Sequence, residues 1–251
     1  MSNYLNSFQL NDHHALVTGA GRGLGEACAL ALSEAGAEIT LVARSSDQLE
    51  SVAKKIRDSG GQASVHPADL TKMEEIRKLE ELGPFTILVN NAGINRPQSF
   101  EDVKENDFDD VLDLNVKSSF FVAQSVARGM IQAGRGGSII NMGSISWHLA
   151  LEFMPAYTSS KAAIEGLTVG LARSYGKDRI RVNCIIPGSV RTPRQVKEIL
   201  TPEYEKFITG QQCLPDQVLP EDIAQLALFL ASDAGRMCTR RNFFMDAGIG
   251  A

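Results

Sequence analysis

The chain has 251 residues, 43% apolar and 22% charged, with a formal net charge of −5 and a pI near 5.5, the balance of an ordinary globular protein. That charge leaves no basic stripe to neutralise phosphates, which excludes general nucleic-acid binding. No apolar run is long enough to span a bilayer, and Met1-Ser2-Asn3-Tyr4 lacks the charged-then-apolar pattern of a leader, so a cytoplasmic protein without a membrane partner is expected.

Ala15 to Thr18 reads as a short buried strand that runs into Thr18-Gly19-Ala20-Gly21-Arg22-Gly23-Leu24-Gly25. Beyond it Leu24, Ala27, Cys28, Ala31 and Leu32 recur at helical spacing until Gly36. Glycines at such a strand-to-helix junction permit a tight turn, let the backbone approach a pyrophosphate and leave helix N–H groups for its oxygens. The second strand, Glu38 to Ala43, ends at Arg44 and precedes a polar helix from Ser46 to Ser59. In a dinucleotide fold the end of that strand faces the adenosine ribose, where an acid would bind free hydroxyls and a base a phosphate. With Ala43 and Arg44 there and Arg22 in the glycine loop, NADP is favoured over NAD, which stays possible.

Ala63 to His66 makes a third strand ending in Ala68-Asp69-Leu70, and Thr71 to Leu82 a short charged helix. Phe85 to Asn90 is a continuous apolar strand, as expected where helices cover both faces of a parallel sheet, and it ends in Asn90-Asn91-Ala92-Gly93. Glu105 to Ala133 is helical in pattern and carries Asn115 among apolar residues. A buried amide there needs partners, in the core or in a site. Gly137 to Met142 is the fifth strand, and Ser144 just beyond it projects into the crevice at the carboxyl edge of an open α/β sheet. A loop from Trp147 to Phe153 follows, whose His148 could touch substrate but reads first as solvent-exposed.

The next helix holds Tyr157-Thr158-Ser159-Ser160-Lys161. Four residues apart, the phenol and the ammonium share a face. A nearby cation favours phenolate, which suits proton exchange with an alcohol or carbonyl oxygen. Arg181 to Ile186 is the sixth strand. A less regular stretch, Arg194 to Leu219, then precedes a helix over Pro220 to Ala231 and a last strand near Asn242 to Met245. An insertion spanning about 190–219 at a strand's carboxyl end is a natural substrate lid. Its Arg191, Arg194, Lys197 and Lys206 suit an anionic or polyhydroxyl ligand, or a solvated face. No linker or repeat divides residues 1–251, so a single domain is expected. Cys28, Cys184, Cys213 and Cys238 form no CxxC, and His13-His14 has no metal-ligand spacing, so neither a metal nor a disulfide framework is expected.

In this order the motifs resemble the short-chain dehydrogenase/reductase family over nearly the whole chain. They are TGxxxGxG at Thr18 to Gly25, ADL at Ala68 to Leu70, NNAG at Asn90 to Gly93, Asn115, Ser144, YxxxK at Tyr157 and Lys161, and PG at Pro187 and Gly188. The resemblance implies a single-domain, Rossmann-like, doubly wound parallel α/β sheet of seven strands in the order 3-2-1-4-5-6-7. It implies an NAD(P)-dependent oxidoreductase with Tyr157 as general acid/base and Ser144 polarising the substrate oxygen. Lys161 would bind the nicotinamide ribose and lower the tyrosine pKa, and Asn115 would hold a relay water. Gly19, Arg22, Gly23, Leu24 and Arg44 would then hold the cofactor with Tyr157 and Lys161, Asp69, Leu70 and Asn90 would flank its adenosine, and Val190 and Thr192 would meet its carboxamide. A homotetramer is also implied.

The stretches Gln211 to Asp216, Pro220 to Ala224 and Arg236 to Gly248 resemble those of sugar, sugar-acid and polyol dehydrogenases, although Ala43 replaces an acidic residue and Arg240-Arg241 replaces small or polar ones. The expected substrate is therefore a small polyhydroxyl molecule. A beta-ketoacyl carrier protein reductase is the alternative that the two arginines suggest. A nucleotide-binding regulator without catalysis is a third reading, which the intact Asn, Ser, Tyr and Lys set opposes.

Overall fold

Ala15, Leu16 and Val17 are all fully buried, as a strand covered on both faces requires. They belong to β1 (His14–Thr18) of the computed structural model, which describes residues 4–198 and 201–250. Helix and strand then alternate through α1 (Gly23–Glu34), β2 (Glu38–Ala43), α2 (Ser46–Asp58), β3 (Ala63–Pro67), α3 (Met73–Lys78) and β4 (Ile87–Asn90). The second half adds α4 (Glu105–Leu112), α5 (Ser118–Ala133), β5 (Gly137–Met142), α6 (Pro155–Tyr175), β6 (Ile180–Pro187), α7 (Pro193–Glu198), α8 (Pro202–Gln211), α9 (Pro220–Ala231) and β7 (Asn242–Met245).

The seven strands form one parallel sheet in the order β3-β2-β1-β4-β5-β6-β7, with Leu16 in register with Thr40 on one side and Leu88 on the other. Every crossover passes through helix or long loop, which parallel pairing demands. Alternate strand residues sort into two layers. Val17, Ile39 and Ile140 pack with the apolar faces of α1, α2 and α9, whereas Leu16, Leu88 and Ile139 pack with α3, α5 and α6. The ends of the helices follow local chemistry. Ser45 caps α2 by accepting from Gln48 N, the carboxylate of Asp222 accepts from Leu219 N at the start of α9, and α5 stops at Gly134 with φ of 65°.

The bounds of β2, β5, β7 and α9 agree with those expected from sequence. Two regions differ. The expected helix over Glu105–Ala133 is interrupted by a π turn, Asp113–Lys117, which carries the buried Asn115. The stretch after Arg194, expected to be less regular, holds helices α7 and α8, in which Pro193 and Pro202 take the first helical position, where no N–H is needed.

Candidate active site

The carboxyl ends of the central strands open onto a cleft of about 1020 Å³. At its floor the ends of β1 and β4 are tied together. Thr18 Oγ1 accepts from the main-chain N–H of Asn91 and of Ala92, both at 3.0 Å, while Asn91 Nδ2 donates to the carbonyls of Thr18 (3.1 Å) and Gly19 (3.3 Å). Gly19 has φ of 63°, and a Cβ on Gly25 would stand 2.3 Å from the Gly19 carbonyl oxygen, so the loop closes on itself only with glycine at both places.

Arg22, Arg44, Asp69 and Leu70 line one end of the cleft. Among the described residues neither Arg22 nor Arg44 is ion-paired. Burial pushes the Asp69 carboxyl up, but hydrogen bonds from the Thr71 hydroxyl and N–H, with the charges of Lys72 and Arg44, outweigh it and hold the group below its ordinary range.

Ser144, Tyr157 and Lys161 line the other end. Lys161 is only 6% exposed, and its Nζ donates to the Met142 carbonyl at the end of β5 (2.7 Å) while standing 5.6 Å from the centre of the Tyr157 ring. Ser144 Oγ accepts from Ser146 N at 3.1 Å, which leaves its own O–H to donate into the cleft. Asn115 stands behind this surface. Its Oδ1 accepts from Ile94 N (2.8 Å), and its Nδ2 donates to Ile94 O and Ser160 Oγ, both at 2.9 Å. Ser160 in turn donates to the Tyr157 carbonyl, so one amide ties the loop after β4 to the first turn of α6. Gly93 makes this possible, since a Cβ there would come within 3.1 Å of Asn115 Oδ1.

The family model described as enoyl-(acyl carrier protein) reductase matches residues 19–250. A D-xylose 1-dehydrogenase of Caulobacter vibrioides is 38% identical over 95% of the chain and 96% of its own length, and a gluconate 5-dehydrogenase of Gluconobacter oxydans is 33% identical over 96% of each. A gluconate 5-dehydrogenase of Burkholderia cenocepacia, solved with NADP and tartrate, superposes with a TM-score of 0.92 at 30% identity, covering 98% of both chains. The chain belongs to the short-chain dehydrogenase/reductase family. It is an NAD(P)-dependent oxidoreductase acting on CH–OH groups.

As a short-chain dehydrogenase/reductase it offers residues that fit the cofactor. The glycine loop is a cradle that side chains would fill, two guanidiniums without an ion pair among the described residues stand at one end, and Val190 and Thr192 line the same cleft. Thr192 approaches the glycine loop, lying 3.7 Å from where a Gly23 Cβ would be. Twelve of the fourteen site residues expected from sequence line the cleft; besides Asn115, Asn90 is the exception. Asn90 is the last residue of β4 and shares a face with Leu88. Its amide donates to the Ser119 carbonyl (2.8 Å) and to Asn141 Oδ1 (3.3 Å), and the adjacent Asn91 is the one on the cleft. Strand pleat turns the two neighbouring side chains different ways, a signal the parity of β4 already carries.

His148 is not the exposed loop histidine expected. Its ring lies between Trp147 (3.8 Å) and Phe244 (4.8 Å), and its Nε2 meets Glu165 Oε1 at 2.9 Å. Glu165, 8% exposed and one turn beyond Lys161, also accepts from Trp147 Nε1 and Asn242 Nδ2, and so pins the loop after Ser144 to α6 and β7. A single Glu on a helix reads as a solvated face, which is why sequence reasoning passed over it. Arg191 pairs with Glu205 at 3.1 Å and lies outside the main cleft with Lys206, whereas Arg194 and Lys197 line it. All four cysteines are free thiols, and burial pushes Cys28 and Cys184 up to about 12, far from reactive. No helix among the described residues is long and apolar enough to cross a membrane, and no group of three or more His, Cys, Asp or Glu among them could hold a metal.

Proposed function

We propose that the protein interconverts a secondary alcohol or lactol of a sugar, sugar acid or polyol with its carbonyl or lactone, using NADP in preference to NAD. The observation that carries this reading is the convergence of Tyr157, Lys161 and Ser144 on one cleft continuous with the glycine loop. When bound, the nicotinamide supplies the hydride acceptor or donor. This chain's residues manage the proton and the geometry. In the oxidative direction Tyr157, as its phenolate, takes the proton of the reacting hydroxyl. The ammonium of Lys161, fixed by the Met142 carbonyl, is placed to stabilise the phenolate that accepts this proton. Ser144 donates to the same substrate oxygen as it gains negative character.

The side chain of Asn115 is spent on Ile94 and Ser160, so it fixes where α6 presents Tyr157. A relay water at this residue would be held by its main chain, within the π turn. The preference for NADP rests on unpaired Arg22 and Arg44 at the adenosine end, with no carboxylate on the residue that ends β2. It is consistent with the NADP bound in the Burkholderia relative. A single domain whose segment 190–219 closes over substrate fits the placement of Arg194 and Tyr204 on the cleft wall. A cytoplasmic homotetramer is supported by the free thiols and by exposed Phe120, Ile131 and Val169 on α5 and α6.

The test is Tyr157→Phe. Turnover is expected to fall by at least about a hundredfold while NADPH still binds; a variant keeping most of its rate would remove the assigned proton transfer. Arg44→Asp is expected to lower the kcat/KM ratio of NADP to NAD at least about tenfold, and an unchanged ratio would end the case for phosphate recognition.

A further inference from the structure

Ser146 is 1% exposed and lines the cleft two residues beyond Ser144, yet its Oγ has no hydrogen-bond partner. Asn95 Oδ1, two residues beyond Gly93 on the loop after β4, is also buried, unpartnered and on the cleft wall. Gln195 Oε1 on α7 shares all three properties. Buried polar atoms are nearly always satisfied, and an orphan is costly to keep. Three lining one cleft therefore point to a ligand that completes them.

All three are oxygens. The two amide carbonyls only accept, and the serine hydroxyl can do either. Their complement is a molecule rich in donors, which describes alcohol hydroxyls. A carboxylate only accepts, and an acyl chain does neither. The cations of the lid do not contradict this. Arg194 and Lys197 adjoin Thr192, which reaches the glycine loop where cofactor phosphates belong, so their placement needs no anionic substrate.

We propose that Ser146 and Asn95, with Gln195 added from the lid, form a subsite that reads hydroxyls on carbons flanking the reacting one, and that the substrate is a neutral aldose or polyol and not its carboxylate. This rests on Ser144 and Tyr157 being the reacting centre. Deleting Oγ or Oδ1 removes a contact made only to substrate, so the damage falls on KM for the sugar and not on folding.

The experiment is steady-state kinetics of wild type, Ser146→Ala and Asn95→Leu with a neutral aldose, its single-deoxy analogues, the matching aldonate and a simple cyclic secondary alcohol. NADPH affinity and thermal midpoint are measured in parallel. Wild type is expected to prefer the aldose to the aldonate and to at least one deoxy analogue by about tenfold or more. Each variant is expected to lose about tenfold in kcat/KM for the aldose, mainly through KM, and to narrow the gap to the deoxy analogue. Cofactor affinity should hold and the midpoint should not fall. A preference for the aldonate, or variants that discriminate as wild type does, would overturn the subsite. Turnover of the simple alcohol that requires Tyr157, with no sugar accepted, would overturn it while leaving the reaction assignment intact. Failure of wild type on every alcohol despite bound cofactor would overturn the reaction itself.

Discussion

The two walls of the cleft are built to different standards. One is the edge of the sheet, where the ends of β1, β4 and β5 are cross-tied by Thr18, Asn91 and Lys161, and where Asn115 binds the loop after β4 to α6. The other is the segment from Val190 to Val218. No described residue of its helices α7 and α8 is buried. It is held at its ends by a bridge between Val190 and Val218, by the half-exposed pair Arg191–Glu205, and by main-chain bonds from Cys213 and Leu214 to Ala247. Groups that must align within a fraction of an ångström sit on the first wall. Groups that need only greet different ligands sit on the second, which has the least to lose by opening.

The contrast breaks most visibly at Lys161. Lys161→Met is expected to lower kcat by roughly 10²–10⁴-fold and to weaken cofactor binding, as followed by absorbance and by NADPH titration. A loss confined to substrate KM would mean that the first wall does not do the chemistry. On the second wall, Arg191→Met breaks a pair whose partners are 46% and 24% exposed. Unfolding free energy is expected to change by less than about 1 kcal/mol in a urea melt, with substrate KM rising severalfold and kcat held. A collapse of kcat would move this wall into the reacting centre.

The smallest effect lies at the far, amino-terminal end of β1. Burial lowers the pKa of His13 and His14 below the ordinary 6.5, and their rings meet the hydroxyls of Thr86 and Thr40. The unfolded chain binds more protons there, so the stability they contribute is present above pH 6.5 and is lost as pH falls through their folded values. His14→Gln is expected to flatten that acid-side slope in melts taken between pH 7 and 5 without altering activity at neutral pH.

How much of this was legible in sequence follows the same division. The first wall is written in continuous apolar runs and in glycines whose positions leave few conformations open, so β2, β5 and β7 end where their residues say and Ser144, Tyr157 and Lys161 line one cleft. The second wall carries its helices without buried residues in the described part, so no apolar periodicity announces them, and Pro193 and Pro202 stand at their starts. That the side chain of Asn90 turns away from the cleft follows from the parity of β4, a signal the sequence does carry. The burial of His148 by Glu165 joins residues 17 apart through tertiary packing, which no local pattern announces.

Val111 and Met130, both buried, are 19 residues apart, whereas five ideal helical turns take about 18. The wide turn at Asp113–Lys117 absorbs the odd residue, so that the helix can change step and still keep both ends buried. Asn115 stands where the step changes. Removing one residue there would make the winding more regular, and the active centre should then be lost well before the fold.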